Sequence, residues 1–280
     1  MIEHALGLSS AALEAIAGLE RRVLAADGGR LKLEWATLRS RPTEAVSDLL
    51  WWDGERLLGF VGIYGFGREQ LELTGMVDPD ARRRGIARAL FEAALPLCRE
   101  RGRRRLLLVV PRVSPGGDEF ARAYDMSFEH SEHAMTLRSR PEPAPARDET
   151  CVRQAVADDI PALSALYRDG FGHARVDPDR LASERSRTLM LERDGQIVGT
   201  IAVARDGRRG AVYGFVVDTG QRGQGIGHEV LRRVCQDQFD TGAERVDLEV
   251  EVANDRALGL YTSVGFELAA TDDYYELALG

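Results

Sequence analysis

Residues 218–227 read DTGQRGQGIG and run directly into the helix-like stretch HEVLRRVCQDQF. Arg222, Gly223, Gln224, Gly225, Ile226 and Gly227 thus lie between a strand-like run, GAVYGFVVD, and a helix. Glycine weakens a helix start unless the bare backbone is needed there. The first turn of a helix carries unpaired N–H donors and a partial positive charge. A turn without side chains at that point suits a diphosphate resting on several amides, and an arginine adds charge. No Lys-Ser/Thr follows, so this is not a Walker loop, and the spacing is not that of a dinucleotide fingerprint. The plainer alternative is a tight strand-to-helix turn that holds nothing.

Two further groups of residues could do chemistry. Asn254-Asp255-Arg256-Ala257-Leu258-Gly259-Leu260-Tyr261-Thr262-Ser263-Val264-Gly265-Phe266 follows the run DLEVEV. Asn254 stands where that helix begins and reads as an N-cap. Tyr261 shares a face with Ala257 and Val264, which by itself fits a core tyrosine. In the run Val246–Val252, Val246, Leu248, Val250 and Val252 face one way and Asp247, Glu249 and Glu251 the other, successive members roughly 6.5 Å apart. Such a stripe is either a solvated face or, on a covered central strand, an attraction for a cationic amine and a source of a base, since neighbouring carboxylates raise each other's pKa. His130 and His133 fall on opposite faces of a strand with no third ligand in view, so no metal is assigned.

The elements that must position these residues occur twice. SDLLWWDGERLLGFVGIYGF predicts a hairpin turning at Asp53-Gly54, followed by the strand LELTGMVDP, the turn and helix ARRRGIARALFEAALPLCRERG, the strand RRRLLLVV, a short helix in DEFARAYDMSF and a last strand in EHSEHAMTLR. RTLMLERDGQIVGTIAVAR turns at Asp194-Gly195 and begins the same succession again, ending in closing strands within ELAATDDYYELAL. Before it, VRQAVADDIPALSALYRDGF predicts a strand and a helix begun near Asp158 and Asp159. Val77, Arg82 and Gly85 recur as Val217, Arg222 and Gly225, an offset of 140 each time. RSRPEPAPARDET is rich in Pro and charge and lacks periodicity, which marks a linker. The expected division is an N-terminal domain over 1–138, a linker over 139–149 and a C-terminal domain over 150–280.

The bulk composition agrees. A chain of 280 residues suits two ordinary domains, and 44% apolar residues suit globular folding. A formal charge of −8 argues against general nucleic-acid binding. Three cysteines, Cys98, Cys151 and Cys235, are far apart and lack metal-ligand spacing, which suits a reducing compartment. Without a basic leader or a long apolar run, the chain is expected to be cytoplasmic and independent of membranes.

R-x-x-G-x-G after one strand and N-x-x-A-x-x-L-Y-x-x-x-G-F after the next resemble the two main motifs of the GNAT superfamily of N-acetyltransferases. The resemblance covers the second half nearly end to end and the first through its glycine turn and element order. Paired halves resemble tandem GNAT proteins. The implied fold class is α/β (α+β): two GNAT-like domains, each a mixed, largely antiparallel sheet flanked by helices with a splayed parallel strand pair. The implied co-substrate is acetyl-CoA. Its pyrophosphate would rest on Arg222–Gly227, and its pantetheine arm would run along the backbone of Phe215, Val216 and Val217, near Asn254. The backbone N–H groups of those strand residues could also hold the thioester carbonyl. The resemblance makes Tyr261 the proton donor to the leaving thiolate and Glu249 a base acting through water.

In the N-terminal half, Val77, Arg82, Arg83, Arg84, Gly85, Ile86 and Ala87 form a second candidate cofactor site. Lining up Phe128 with Phe266 puts Ala123 in the place of the tyrosine and Gly116 in that of the asparagine, with Tyr124 one position off. Glu72 is the nearby acid and is expected at the surface. That half is expected to bind a CoA-like ligand with little or no catalysis. The leading function is transfer of acetyl from acetyl-CoA to a primary amine, on a small molecule or a peptide, by direct attack in a ternary complex. The alternatives are acetylation of a small aminothiol or amino-sugar, as in mycothiol synthase-like proteins, and a non-catalytic acyl-CoA-binding module. A monomer and a homodimer both remain open.

Overall fold

The computed structural model describes residues 1–65, 70–143, 150–172, 176, 181 and 186–280. It forms two compact units, Met1–His133 with Ala269–Gly280, and Ala134–Leu268. These units depart from the sequential halves at the strand ends. The last residues of the chain belong to unit 1, and residues 134–137 belong to unit 2. The family-like repeat is therefore closed in each unit by a strand from the other half's sequence.

In unit 1, β1 (Ile2–Ala5), β2 (Asp48–Asp53), β3 (Arg56–Tyr64), β4 (Gln70–Val77) and β5 (Arg105–Pro111) are laid side by side in chain order. Next to β5 lies the C-terminal strand β12 (Glu267–Ala278), and beyond it the first part of β6 (Ser127–Leu137). β12 pairs antiparallel with β5 from Asp272↔Pro111 to Ala278↔Arg105. β4 and β5 are parallel, paired from Gln70↔Arg105 to Leu73↔Leu108, after which they part.

Helix α1 (Ser10–Asp27) covers one face of this sheet. Its signals are local. Ser9 accepts from the Ala12 N–H at 3.1 Å as N-cap. Ala12, Ile16, Leu19 and Val23 recur at helical spacing and are buried against Phe60 and Met76. A short helix α2 (Trp35–Arg39) follows. Helix α3 (Ile86–Glu100) covers the other face through Ile86, Leu90, Phe91 and Ala94, against Leu73 and Leu108. Helix α4 (Gly117–Ala123) links β5 to β6.

Unit 2 repeats the plan. β7 (Cys151–Gln154), β8 (Ser186–Arg193), β9 (Gln196–Asp206), β10 (Arg209–Val217) and β11 (Arg245–Glu251) are adjacent in chain order, with the end of β6 beside β11. The β8–β9 hairpin turns at Asp194-Gly195, both left-handed (φ +51° and +73°), as a two-residue hairpin loop requires. Helix α5 (Ile160–Phe171) packs on one face. Helix α6 (Ile226–Asp240) packs on the other through Val230, Leu231, Val234 and Cys235. Each such buried side chain contributes about 1.5–3 kcal/mol of apolar burial. Helix α7 (Asp255–Val264) follows β11. The helices α3 and α6, the strands β5 and β11 and the 3₁₀ turns before the helices are offset by 140 throughout. No helix among the described residues is long and apolar enough to cross a membrane.

Candidate active site

The glycine turn is built the same way in both units. β10 ends at Val217, and the Asp218 carboxylate accepts from the Gly220 N–H at 2.9 Å, capping one 3₁₀ turn over Thr219–Gln221. Arg222 turns back. Its Nε donates to the Val217 carbonyl at 2.8 Å, and its guanidinium lies 3.4 Å from Asp169 at the end of α5. In unit 1, Arg82 Nε donates to the Val77 carbonyl at 3.4 Å, and the guanidinium grips Asp27 twice, at 2.8 and 2.6 Å. In both units the arginine thus braces the turn from within. A strand-end carbonyl and a helix-end carboxylate both need a donor, and the arginine supplies it.

The three glycines have different reasons. Gly223 (φ +82°) and Gly225 (φ +85°) are left-handed, and Gly225 is the N-cap of α6. A Cβ added to Gly223 would meet nothing within 4 Å, so the backbone there fronts open space. A Cβ on Gly227 would lie 3.2 Å from Leu260 Cδ2, so its bareness lets α7 pack against α6. Unit 1 holds the same backbone with Arg83 at φ +62° in place of Gly223, a strain of about 1–2 kcal/mol for a residue with a Cβ, and Gly85 at φ +81°. Arg84 donates to the Asp80 carbonyl at 2.9 Å.

One feature of unit 2 has no counterpart in unit 1. Between Tyr213↔Ala202 and Val216↔Thr200 the register slips, so Gly214 and Phe215 together face Ile201. This β-bulge, with Gly214 at φ +56°, takes backbone out of the ladder just where β10 leaves β11, whose parallel pairing ends at Ala211↔Asp247. A backbone N–H turned out of a ladder is the kind of donor a thioester carbonyl needs. In unit 1, β4 runs against β3 in unbroken register from Tyr64↔Glu72 to Gly59↔Val77. The sequence did not disclose the bulge, though Gly214 within the run VYGFVV was its one local signal.

Asn254 caps α7, its Oδ1 accepting from the Ala257 N–H at 3.1 Å, which leaves its amide donors for other partners. Tyr261 is buried in the cluster that includes Ile226, the first residue of α6, with Phe215 and Leu260 packed against it. Its hydroxyl has no hydrogen-bond partner among the described residues. Burial pushes its pKa up to about 12. Cys235 is buried and its thiol is also pushed up to about 12, which rules it out as a ready nucleophile.

The acidic stripe divides. Asp247 is buried and committed: it accepts from Thr136 Oγ1 at 2.7 Å, from Arg209 Nε and from Arg245 Nε at 3.2 Å. Glu249 and Glu251 are exposed. The stripe is therefore not a run of mutually repelling carboxylates under cover, because two arginines neutralise its buried member.

Unit 1 opens a cavity of about 630 Å³ at its own glycine turn, lined by Val77, Arg82, Arg83, Gly85, Ile86 and Ala87 of the candidate residues, with Phe91, Phe120 and Tyr124. The match of Phe128 with Phe266 fails, since Phe128 is 58% exposed and Phe266 is 2% exposed. Met126 N–H donates to the Ala121 carbonyl at 3.1 Å as Phe266 N–H does to Tyr261 at 3.1 Å. Ala121, rather than Ala123, thus stands for Tyr261, and Ser114, rather than Gly116, for Asn254. The Tyr124 hydroxyl is spent on Glu92 at 3.1 Å. Glu72 is not a surface acid, its side chain being 14% exposed and paired with Lys32 at 3.5 Å. His130 stacks on Tyr274 at 4.2 Å, and His133 meets Thr271 at 2.9 Å.

A turn that presents amides, a splayed parallel pair and a phenol at the next helix form one arrangement, and its pattern is shared. The family model described as Acetyltransferase (GNAT) family matches residues 15–123 and 157–266. The chain belongs to this family. It is an acetyl-CoA-dependent acyltransferase with two GNAT domains.

Mycothiol acetyltransferase of Propionibacterium freudenreichii subsp. shermanii is 28% identical over 246 residues, covering 80% of this chain and 75% of that protein. The protein of the same name from Brachybacterium faecium is 28% identical over 243 residues, covering 78% and 70%. Among solved structures, a GCN5-related N-acetyltransferase from Sphaerobacter thermophilus has a TM-score of 0.79 at 17% identity, covering 100% of this chain and 95% of that one. A tandem GNAT protein from the clavulanic acid biosynthesis pathway has a TM-score of 0.69 at 18% identity, covering 100% and 99%. At these identities the solved structures speak for the fold alone.

Proposed function

We propose that unit 2 transfers acetyl from acetyl-CoA to a primary amine. The observation that carries this reading is the combination, in unit 2 and not in unit 1, of the β-bulge at Gly214-Phe215 with the phenol of Tyr261. The diphosphate rests on the amides from Gly223 to Gly227, and the pantetheine arm lies along Phe215, Val216 and Val217, near Asn254. The amine lone pair attacks the thioester carbon while a bulge amide holds the carbonyl oxygen as charge builds on it. The C–S bond breaks and the thiolate receives a hydrogen bond or proton from Tyr261. The ammonium proton leaves through water to Glu249, the exposed carboxylate beside the committed Asp247.

A phenol near 12 is a weaker acid than a thiol near ~8.5. Full proton transfer is therefore uphill, and Tyr261 acts chiefly as a neutral donor that never competes as an anion. Unit 1 has the cradle and the cavity but an alanine in place of the phenol, which favours holding acetyl-CoA without turnover. The two mycothiol acetyltransferase relatives favour a small aminothiol or amino-sugar acceptor as the second reading. The reading carries a cytoplasmic location with it.

The test is release of free CoA thiol across a panel of primary amines, with amino-sugar and cysteinyl conjugates beside peptide N-termini. Turnover with at least one amine, lost in Tyr261→Phe and kept in Tyr124→Phe, is expected. Turnover that depends on Tyr124 and ignores Tyr261 would move the chemistry to unit 1.

A further inference from the structure

Lys32 lies on the loop after α1, which opens with two left-handed residues, Gly28 (φ +71°) and Gly29 (φ +69°). Gly28, Arg30 and Leu31 of this loop form one wall of the unit 1 cavity. The Lys32 side chain is 9% exposed. Its ammonium lies 2.6 Å from the Tyr274 hydroxyl and 3.5 Å from both Glu72 Oε2 and Glu132 Oε2. Tyr274 donates in turn to Glu132 at 2.5 Å, and its ring centroid is 5.1 Å from the ammonium. Burial alone would raise the Glu132 carboxyl. The hydrogen bond from His130, the Lys32 charge and the Tyr274 hydroxyl outweigh it and hold the carboxyl down at about 2. Two carboxylates, one phenolic oxygen and an aromatic ring answer the three N–H donors of a primary ammonium and compensate the cost of burying it.

The place of this cage in the fold gives it meaning. Glu72 pairs with Leu107 immediately before β4 and β5 part, and it faces the side on which α1 packs. Allowing for the one-residue bulge in β10, the same pair in unit 2 is Ala211 and Asp247. Both units therefore keep a carboxylate at the start of the splay. Unit 2 neutralises it with arginines from neighbouring strand positions, and unit 1 with an ammonium carried on a loop.

We propose that Glu72, Glu132 and Tyr274 form a primary-ammonium site in unit 1, and that Lys32 of the same chain occupies it and shuts free amines out. An ammonium has no lone pair with which to attack a thioester. Unit 1 thus carries a built-in amine in its ammonium site.

The inference does not depend on which unit transfers acetyl, and its test uses no coenzyme A. Full-length wild type, Lys32→Ala and Lys32→Ala with Glu132→Gln are titrated with n-propylammonium and with tetramethylammonium at constant ionic strength, by calorimetry and thermal midpoint. Saturable n-propylammonium binding at least about tenfold tighter to Lys32→Ala than to wild type is expected, without a matching effect of tetramethylammonium and lost in the double variant. If Lys32→Ala does not fold alone, the comparison is read as recovery of folded protein on refolding with either cation. Equal effects of the two cations, or no effect of either, would overturn the proposal.

Discussion

Phe266 is tied to Tyr261 twice: its backbone N–H donates to the Tyr261 carbonyl at 3.1 Å, and the two rings meet edge to face with centroids 6.0 Å apart. The joint ends α7 and fixes the tyrosine's ring against α6. Unit 1 has the same backbone joint between Met126 and Ala121, so the geometry is duplicated while the functional group is not. A helix end that recurs without its phenol separates what the fold needs from what the chemistry needs.

Tyr261→Phe is expected to lower kcat at least about tenfold while leaving the affinity for acetyl-CoA nearly unchanged. Single-turnover kinetics and calorimetry check the two halves of this statement. The pH dependence follows from the raised pKa. The neutral phenol is the form the fold favours, so its contribution to stability is complete below the unfolded value of about 10 and is lost as pH rises toward about 12. Thermal midpoints of wild type should therefore fall more steeply over that range than those of Tyr261→Phe. Parallel curves would count against the burial argument.

Glu249→Gln is expected to lower kcat/KM and to remove the acidic limb of its pH profile, since the deprotonated carboxylate is the active form. Asp247→Asn should act differently. It breaks bonds to Thr136, Arg209 and Arg245 and should cost stability more than it alters the profile's shape. A Glu249→Gln profile superimposable on wild type would dismiss the base.

Coenzyme A binding distinguishes the two turns. Wild type should bind about two equivalents by calorimetry, and Gly85→Val and Gly223→Val about one each, because a β-branched residue resists φ near +80°. Only Gly223→Val should lose most of its turnover. Loss of turnover in a folded Gly85→Val would mean that the first cleft takes part in the reaction.

Truncation after Leu268 should damage unit 1 before unit 2. It removes the strand paired with β5 and with it Asp272 and Tyr274, the partners of Arg30 and Lys32. Hydrogen exchange should show β5 amides losing protection while α6 amides keep theirs. Retained protection in β5 would contradict the allocation of residues 269–280 to unit 1.

The amino-acid sequence by itself determined the local devices: the glycine turn, the Asn254 cap, the hairpin at Asp194-Gly195 and the offset of 140 between the repeats. Each is settled by donors, acceptors and backbone angles within a few residues, so its signal is short and readable. Helix α1 is of the same kind, its signals being the Ser9 cap and the spacing of Ile16, Leu19 and Val23. Only the tertiary structure decided that Arg222 braces the turn, that Asp247 is spent while Glu249 is exposed, that Ala121 replaces the tyrosine, and that the last strand completes unit 1. Those outcomes depend on partners far away in the chain, Lys32 and Tyr274 among them, and on a bulge that shifts one strand by one residue. Periodicity along a chain records which face a residue takes, but which charge waits on that face is fixed only when distant strands come together.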